Sequence, residues 1–190
     1  MPELLRLEHF GFTYPQQPCP ALADVSLTVR QGEFWVLCGA SGCGKTTLLR
    51  QLKPALRPHG AAEGRILFDG QPLDDLPPHR QAADIGFVLQ SPEEQTVTDK
   101  VWHELAFGLE SLGCDTPSIR RRVAEMASFF GIQDWFHKKV DELSGGQKQL
   151  LALASVMVLQ PRLLILDEPT SQLDLSLIHI SEPTRPISIS

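Results

Sequence analysis

Apolar residues occur along the chain in short runs that end in glycines, prolines or acids. The alternation over 10–14, and again over 22–29, predicts strands with one buried face. The apolar run over 34–38 predicts a buried strand, and the run over 162–166 predicts a strand covered on both faces, as in a parallel sheet. The run over 85–89 predicts a further strand.

A block of helices over 96–140 is predicted between the last two of these strands. Within it Trp102, Leu105 and Leu109 fall on one helical face together with the neighbouring alanine. Asp115, followed by a Thr-Pro pair, is a helix start signal. The chain is therefore predicted to be an α/β protein, and its 190 residues with 42% hydrophobic content suit one domain with one substantial core.

The run over 34–38 leads into a glycine-rich loop with the pattern G-x-x-x-x-G-K-T. Glycines let successive backbone N–H groups turn inward around an anion, and a lysine at this place reaches the β- and γ-phosphates of a nucleotide. We expect Lys45 to be this cation and the Thr46 hydroxyl to be a Mg²⁺ ligand. The predicted nucleotide contacts are Gly39, Ala40, Ser41, Gly42, Cys43, Gly44, Lys45, Thr46 and Thr47.

Two acids, Asp167 and Glu168, follow the predicted strand over 162–166. In open α/β sheets, ligands bind at the carboxyl ends of strands. Asp167 is therefore predicted to hold Mg²⁺ through water, and Glu168 to orient or deprotonate an attacking water molecule. Acids are also common at solvated strand ends, so the phosphate loop in the same chain is what favours the catalytic interpretation.

A second glycine-rich segment, Ser144-Gly145-Gly146-Gln147, opens a helix predicted over 147–159. Serine is a preferred N-cap residue, and the backbone N–H groups at a helix N-terminus bind anions. We expect these four residues to form another phosphate contact. The alternative is an ordinary glycine-rich helix start.

The order of these segments resembles the ATP-binding cassette (ABC) ATPase family over residues 3–174. The resemblance implies an α/β fold with a P-loop NTPase (RecA-like) core, an N-terminal antiparallel β subdomain and an inserted helical subdomain over residues 96–158. It also implies one ATPase domain over 1–174, with ATP and Mg²⁺ as its ligands.

The resemblance assigns further roles. Gln90 is similar to the family glutamine that contacts Mg²⁺ and water and senses the membrane partner. Asp174 ends a segment similar to the loop that crosses the seam between two cassettes, and residues 144–147 would bind ATP held by the other cassette. The implied catalytic residues are Glu168, Gln90 and Lys45, and the implied metal ligands are Thr46, Gln90 and Asp167.

Tyr14 is open to two interpretations. Phe10, Phe12 and Tyr14 share one face of the first predicted strand, which is typical of a core stripe. Tyr14 is the last of the three and precedes Pro15, so it lies where the strand ends. The family stacks an aromatic residue on adenine at this place, and we expect Tyr14 to do the same.

The stretch from Gln90 to Leu109 resembles the ATPase subunits of energy-coupling factor importers, which take up vitamins or transition-metal ions. This implies two partners, a second ABC ATPase subunit and a transmembrane coupling subunit. The ATPase itself would not contact the transported substrate. The alternatives are the ATPase of another importer class and a soluble ABC ATPase that acts on nucleic acid or ribosomes.

The composition argues against several classes of partner and location. The net charge of −6 argues against a nucleic-acid partner. No apolar run approaches the roughly 20 residues that cross a bilayer, and no leader segment precedes the first strand. The four cysteines form no C-x-x-C pair, which suits a reducing compartment. We expect a cytoplasmic protein that lies on the inner face of the membrane through its partner.

The resemblance stops at Leu175. Residues 175–186 resemble the translation of a transposase-type sequencing adapter, so 175–190 is expected to be a non-native, disordered tail; a natural Ser/Pro-rich tail is the alternative. The later core strands and the switch histidine of the family are not matched, since His179 follows Glu168 too closely. We therefore expect the 190-residue chain by itself to be inactive.

Overall fold

The computed structural model describes residues 2–168 and 186–188. They belong to two compact units, the first comprising residues up to Gln81 with 186–188, the second beginning at Ala82. The strands are β1 (Glu3–Thr13), β2 (Leu22–Arg30), β3 (Val36–Cys38), β4 (Ala61–Phe68), β5 (Gln71–Pro72), β6 (Ile85–Val88), β7 (Leu163–Leu166) and β8 (Pro186–Ser188). The α-helices are α1 (Lys45–Gln51), α2 (Pro78–Asp84), α3 (Pro92–Gln95), α4 (Val101–Ser111), α5 (Thr116–Phe129) and α6 (Gly145–Met157).

The first unit contains a four-stranded sheet in the order β2-β1-β4-β5, and its strand pairs are antiparallel. Leu5, Leu7, Phe10 and Phe12 of β1 are buried, and Leu5 lies opposite Phe68 of β4. The register between β1 and β2 shifts after Leu7, which interrupts the alternation without exposing the aromatic side chains. The N-terminal antiparallel subdomain predicted from the sequence is thus confirmed.

The strand that leads into the glycine-rich loop is exposed. β3 pairs in parallel with β8, with Val36 opposite Pro186, yet Val36 is 38% exposed and Phe34 before it is 47% exposed. A strand is buried on both faces when other layers cover both, and an apolar run does not specify how many neighbours it has. The prediction of a buried strand over 34–38 is therefore wrong for the described part of the chain.

β8 falls within the predicted tail. Of residues 175–190 the structure describes 186–188, which form this short strand. The other residues of the predicted tail lie outside the described residues. The expectation that the segment is non-native and disordered stays a prediction.

In the second unit β6 and β7 pair in parallel, from Ile85 opposite Leu163 to Val88 opposite Leu166. Beyond the last pair, the Asp167 N–H donates to the Val88 carbonyl at 3.1 Å. All residues of β6 are buried, whereas Leu164 of β7 is 37% exposed. The parallel sheet predicted around 162–166 is confirmed, but β7 is less fully buried than its apolar sequence predicts.

Helices α4, α5 and α6 enclose the main apolar cluster of the second unit, in which Leu105, Leu109 and Leu151 are almost fully buried. Asp115 caps α5 as predicted, because its side chain accepts the Ser118 N–H at 3.1 Å. The N-cap residue of α4 is Lys100, which makes no side-chain cap. In the part of the chain that the structure describes, no helix is both long and apolar enough to cross a membrane.

Candidate functional site

The phosphate loop runs from the end of β3 to the start of α1 in the first unit. Gly42 has φ +80° and Gly44 has φ +95°, a backbone conformation that side chains disfavour. Gly44 is also the N-cap of α1, and a Cβ there would lie 2.7 Å from the Ala21 carbonyl oxygen. The two glycines are therefore required by the local geometry of the loop.

Lys45 lies back across this loop. Its ammonium group donates to the carbonyls of Gly39 and Ala40, at 2.9 Å each, and has the Cys43 sulfur at 3.9 Å. The side chain is thus held by the first residues of the loop that it follows. This places one positive charge against the loop backbone, and the binding of phosphate by Lys45 stays a prediction.

Tyr14 is tied to the same loop and helix. Its hydroxyl and the Thr47 hydroxyl are 3.0 Å apart, and its ring meets Phe12 edge to face with 4.9 Å between centroids. Phe12 is buried and Tyr14 is half-buried. Tyr14 is therefore neither a simple core residue nor a free surface ring, and its stacking on adenine stays a prediction.

In the second unit the carboxyl ends of β6 and β7 bring Gln90 and Glu168 together. The Gln90 Nε2 donates to Glu168 Oε2 at 2.8 Å, although the residues are 78 positions apart in the sequence. Glu168 is exposed and has φ +50°. A non-glycine residue in this region is uncommon, and such strain is concentrated at functional sites.

Asp167 differs from its neighbour because it is 2% exposed. A buried carboxylate is stabilised when a cation or hydrogen-bond donors compensate for its lost hydration. The hydroxyl of Thr46, the amide oxygen of Gln90 and the carboxylate of Asp167 are oxygen donors of the kind that Mg²⁺ prefers. Each of these residues therefore suits Mg²⁺ by its chemistry, and their assignment as one ligand set stays a prediction.

Ser144 begins α6 as predicted. Its hydroxyl accepts the Gln147 N–H at 3.4 Å, and the Gln147 side-chain oxygen accepts the Ser144 N–H at 2.9 Å. This reciprocal cap fixes the start of a 13-residue helix. It uses the side chains of Ser144 and Gln147 locally, so anion binding by Gly145 and Gly146 would rest on backbone N–H groups and stays a prediction.

Asp174 and the segment 171–174 lie outside the described residues. Two polar residues that the sequence did not single out are prominent in the structure, Glu104 and Gln95. Glu104 is 6% exposed and accepts hydrogen bonds from the backbone of Val97 and Thr98 and from the Thr98 hydroxyl. In the sequence, the place of Glu104 beside the apolar face of α4 indicated such a contact. No feature of the sequence indicated the contacts of Gln95.

A glycine-rich loop that begins a helix, and two acids at the end of a parallel strand, define the class of P-loop nucleotide-binding proteins. The ABC transporter family profile matches residues 22–171. The chain therefore belongs to the ABC transporter family, and its domain is an ABC ATPase.

Three similar proteins illustrate the relationship. A putative ABC transporter ATP-binding protein of Bacillus cereus is 49% identical over 168 residues, which are 88% of this chain and 30% of the relative. The cobalt import ATP-binding protein CbiO of Syntrophus aciditrophicus is 37% identical over 172 residues, 90% of this chain and 60% of the relative. The solved structure of cbiO1 from Clostridium perfringens, part of the ABC transporter complex cbiONQ, has a TM-score of 0.80 at 31% identity and covers 93% of this chain and 70% of that one.

The chain spans 30% of the length of the Bacillus relatives that it matches. The activity of the whole protein is therefore proposed from the chemistry of the residues in this domain.

Proposed function

We propose that the intact protein binds ATP with Mg²⁺ and hydrolyses it, and that hydrolysis drives a membrane importer. The observation that carries this proposal is the 2.8 Å hydrogen bond between Gln90 and Glu168, next to the buried Asp167 at the carboxyl ends of two parallel strands. A carboxylate oriented by an amide donor suits the positioning of a nucleophilic water molecule. In this proposal residues 1–174 act as one ATPase domain.

The residues divide the chemistry between them. Lys45 and the loop from Gly39 to Thr47 hold the phosphates, because the ammonium and the backbone N–H groups complement negative charge. Mg²⁺, bound by Thr46 and by Gln90 with Asp167, would neutralise charge on the β- and γ-phosphates. Glu168 orients the water that attacks the γ-phosphorus and accepts its proton, while the bond from that phosphorus to the β–γ bridging oxygen breaks and ADP leaves. Gln90 holds the carboxylate in place.

A second cassette is part of the proposal. Ser144 and the glycines after it present the N-terminus of α6, whose backbone N–H groups complement phosphate. In the proposed dimer this helix start contacts ATP bound to the phosphate loop of the partner, and Asp174 lies at the seam. Tyr14 stacks on the adenine. Purification of the intact protein determines whether the partner is a second copy of the same chain or a related subunit.

The proposed importer is of the energy-coupling factor type, for vitamins or transition-metal ions. The relatives named for cobalt import and as an energy-coupling factor transporter ATP-binding protein support this class. A relative named for spermidine/putrescine import, 41% identical over 157 residues, supports the ATPase of another importer class as the second candidate. Either role places the protein on the inner face of the membrane, bound to a transmembrane subunit and without contact to the substrate.

The test is a measurement of ATP binding and Mg²⁺-dependent phosphate release by the intact protein, with Lys45→Ala as the comparison. Loss of the ammonium should weaken ATP binding in calorimetry, because the phosphates lose their main cation. Unchanged affinity in Lys45→Ala, or no Mg²⁺-dependent hydrolysis by the wild type together with its transmembrane partner, would contradict the proposal. Co-purification with a coupling subunit, rather than with a substrate-specific permease of another class, distinguishes the two importer candidates.

A further inference from the structure

Gln95 is the last residue of α3, and it bonds to the main chain at two distant places. Its Oε1 accepts the Leu89 N–H at 2.9 Å, and its Nε2 donates to the Ala152 carbonyl in α6 at 3.3 Å. One partner is a donor and the other an acceptor, so the orientation of the amide is fixed by chemistry. Both partners are backbone atoms, which makes the link independent of neighbouring side chains.

The bond to Leu89 lies just beyond the ladder between β6 and β7, on the other side of the β6 backbone. The ladder ends where the Asp167 N–H donates to the Val88 carbonyl. The Leu89 N–H belongs to the same trans peptide as that carbonyl and therefore points away from β7, where Gln95 binds it. Gln95 thereby fixes the backbone one residue before Gln90, at the point where regular pairing stops.

Other contacts hold the same three elements together. Lys148 of α6 lies 3.4 Å from the Glu93 carboxylate of α3. Val88 packs in one apolar cluster with Ala152 and Val156 of α6. The end of β6, the short helix α3 and the middle of α6 are thus joined by packing, by an ion pair and by the two bonds of Gln95.

We infer that Gln95 is a positioning residue for Gln90, through which α6 and the end of β6 hold the Gln90 side chain against Glu168. The contact it positions is the 2.8 Å hydrogen bond from Gln90 to Glu168. Gln95 touches neither nucleotide nor water in this role, and it acts through Leu89. The consequence for hydrolysis rests on the proposed function, whereas the link itself does not.

Two substitutions distinguish the hydrogen bond that the Gln95 side chain accepts from the one that it donates. Gln95→Met keeps the length and loses both bonds, so the Leu89 N–H loses its acceptor. Gln95→Glu keeps an acceptor for Leu89 but cannot donate to Ala152 when ionised. Glu94→Gln is the matched control, because Glu94 lies on the same short helix with an exposed side chain.

The first measurement is residue-resolved hydrogen exchange of the intact protein. We expect exchange at the Leu89 amide to rise by about tenfold or more in Gln95→Met, since a broken hydrogen bond opens locally. Gln95→Glu and Glu94→Gln should stay near the wild-type rate. Equal protection of Leu89 in Gln95→Met and wild type overturns the inference, whatever the protein hydrolyses.

The second measurement is ATP hydrolysis in single and double variants. Gln95→Met should lower kcat about tenfold and change KM for ATP by less than about twofold, because misplacement affects the reacting groups more than binding. In a Gln90→Ala background the same substitution should have little further effect. An equal loss in both backgrounds overturns the inference, since it would show a general structural effect that does not pass through Gln90. Absence of wild-type hydrolysis would instead contradict the proposed function, and the exchange result would still decide the link.

Discussion

The hydroxyl of Tyr14 lies 3.0 Å from the hydroxyl of Thr47, which joins the end of β1 to the helix that follows the phosphate loop. The same ring packs edge to face on Phe12. An aromatic ring held from two sides has little conformational freedom left to lose when a planar ligand stacks on it.

Substitution of Tyr14 separates the ring from the hydroxyl. Tyr14→Phe should leave ATP affinity nearly unchanged, because the ring remains. Tyr14→Ala should weaken ATP binding about tenfold, since stacking of a base on an aromatic side chain contributes about 1–3 kcal/mol. Calorimetric titration of the intact protein with ATP measures both. Equal affinities in Tyr14→Ala and wild type would exclude stacking, and an equal loss in both variants would assign the effect to the bond with Thr47.

Glu168→Gln should abolish turnover and leave ATP bound. The amide keeps the shape of the side chain but cannot accept a proton, and general-base catalysis contributes about 100-fold or more. Lys45 and the loop backbone still hold the phosphates, so size-exclusion chromatography with ATP and Mg²⁺ should show an ATP-stabilised dimer. Asp134→Asn, a change at an exposed acid of the second unit, is a suitable control. Near-normal hydrolysis by Glu168→Gln would remove Glu168 from its assigned role.

Gly86→Ala tests the packing of β6 on α6. A Cβ at Gly86 would lie 2.5 Å from Cγ1 of Val156 and 2.9 Å from Cγ of Pro161. We expect the substitution to lower the free energy of unfolding by about 1–3 kcal/mol, because the elements must move apart. Thermal unfolding of Gly86→Ala combined with Val156→Ala should show less destabilisation than the sum of the single changes. Additive losses would indicate that the Val156 contact is not the cause.

The burial of Lys53 predicts how the free energy of unfolding depends on pH. Burial lowers the pKa of Lys53 from 10.5 to about 8, and its ammonium donates to the Gln81 carbonyl. The folded protein therefore releases this proton more readily than the unfolded chain, so the free energy of unfolding should rise with pH between the two values.

Competitive acylation followed by mass spectrometry measures the titration of Lys53 directly. Labelling should increase with a midpoint near pH 8 in the folded protein and near the usual lysine value of about 10.4 after denaturation. The exposed Lys138 is the internal reference for reagent reactivity. A common midpoint for Lys53 in folded and denatured protein would contradict the assigned effect of burial.

Several local features could be predicted from the sequence because they span a few residues. Asp115 and Ser144 cap their helices through bonds to N–H groups three positions later. The sequence predicts a turn at Gly44 that requires the freedom of glycine, and the φ of +95° at this residue meets that requirement. The parallel arrangement of β7 could also be predicted, since continuous apolar runs are typical of parallel strands, but its pairing with β6 came from the structure.

The sequence by itself determined the family, the phosphate loop and the acids at the strand end, because each depends on residue types at short fixed spacings. The tertiary structure alone decided that Gln90 meets Glu168 across 78 positions and that Gln95 joins Leu89 to Ala152 across α6. It also decided that Val36 is exposed. Hydrophobic pattern records the preference of a segment for burial, but contacts between distant segments and the number of neighbours of a strand depend on how the whole chain packs.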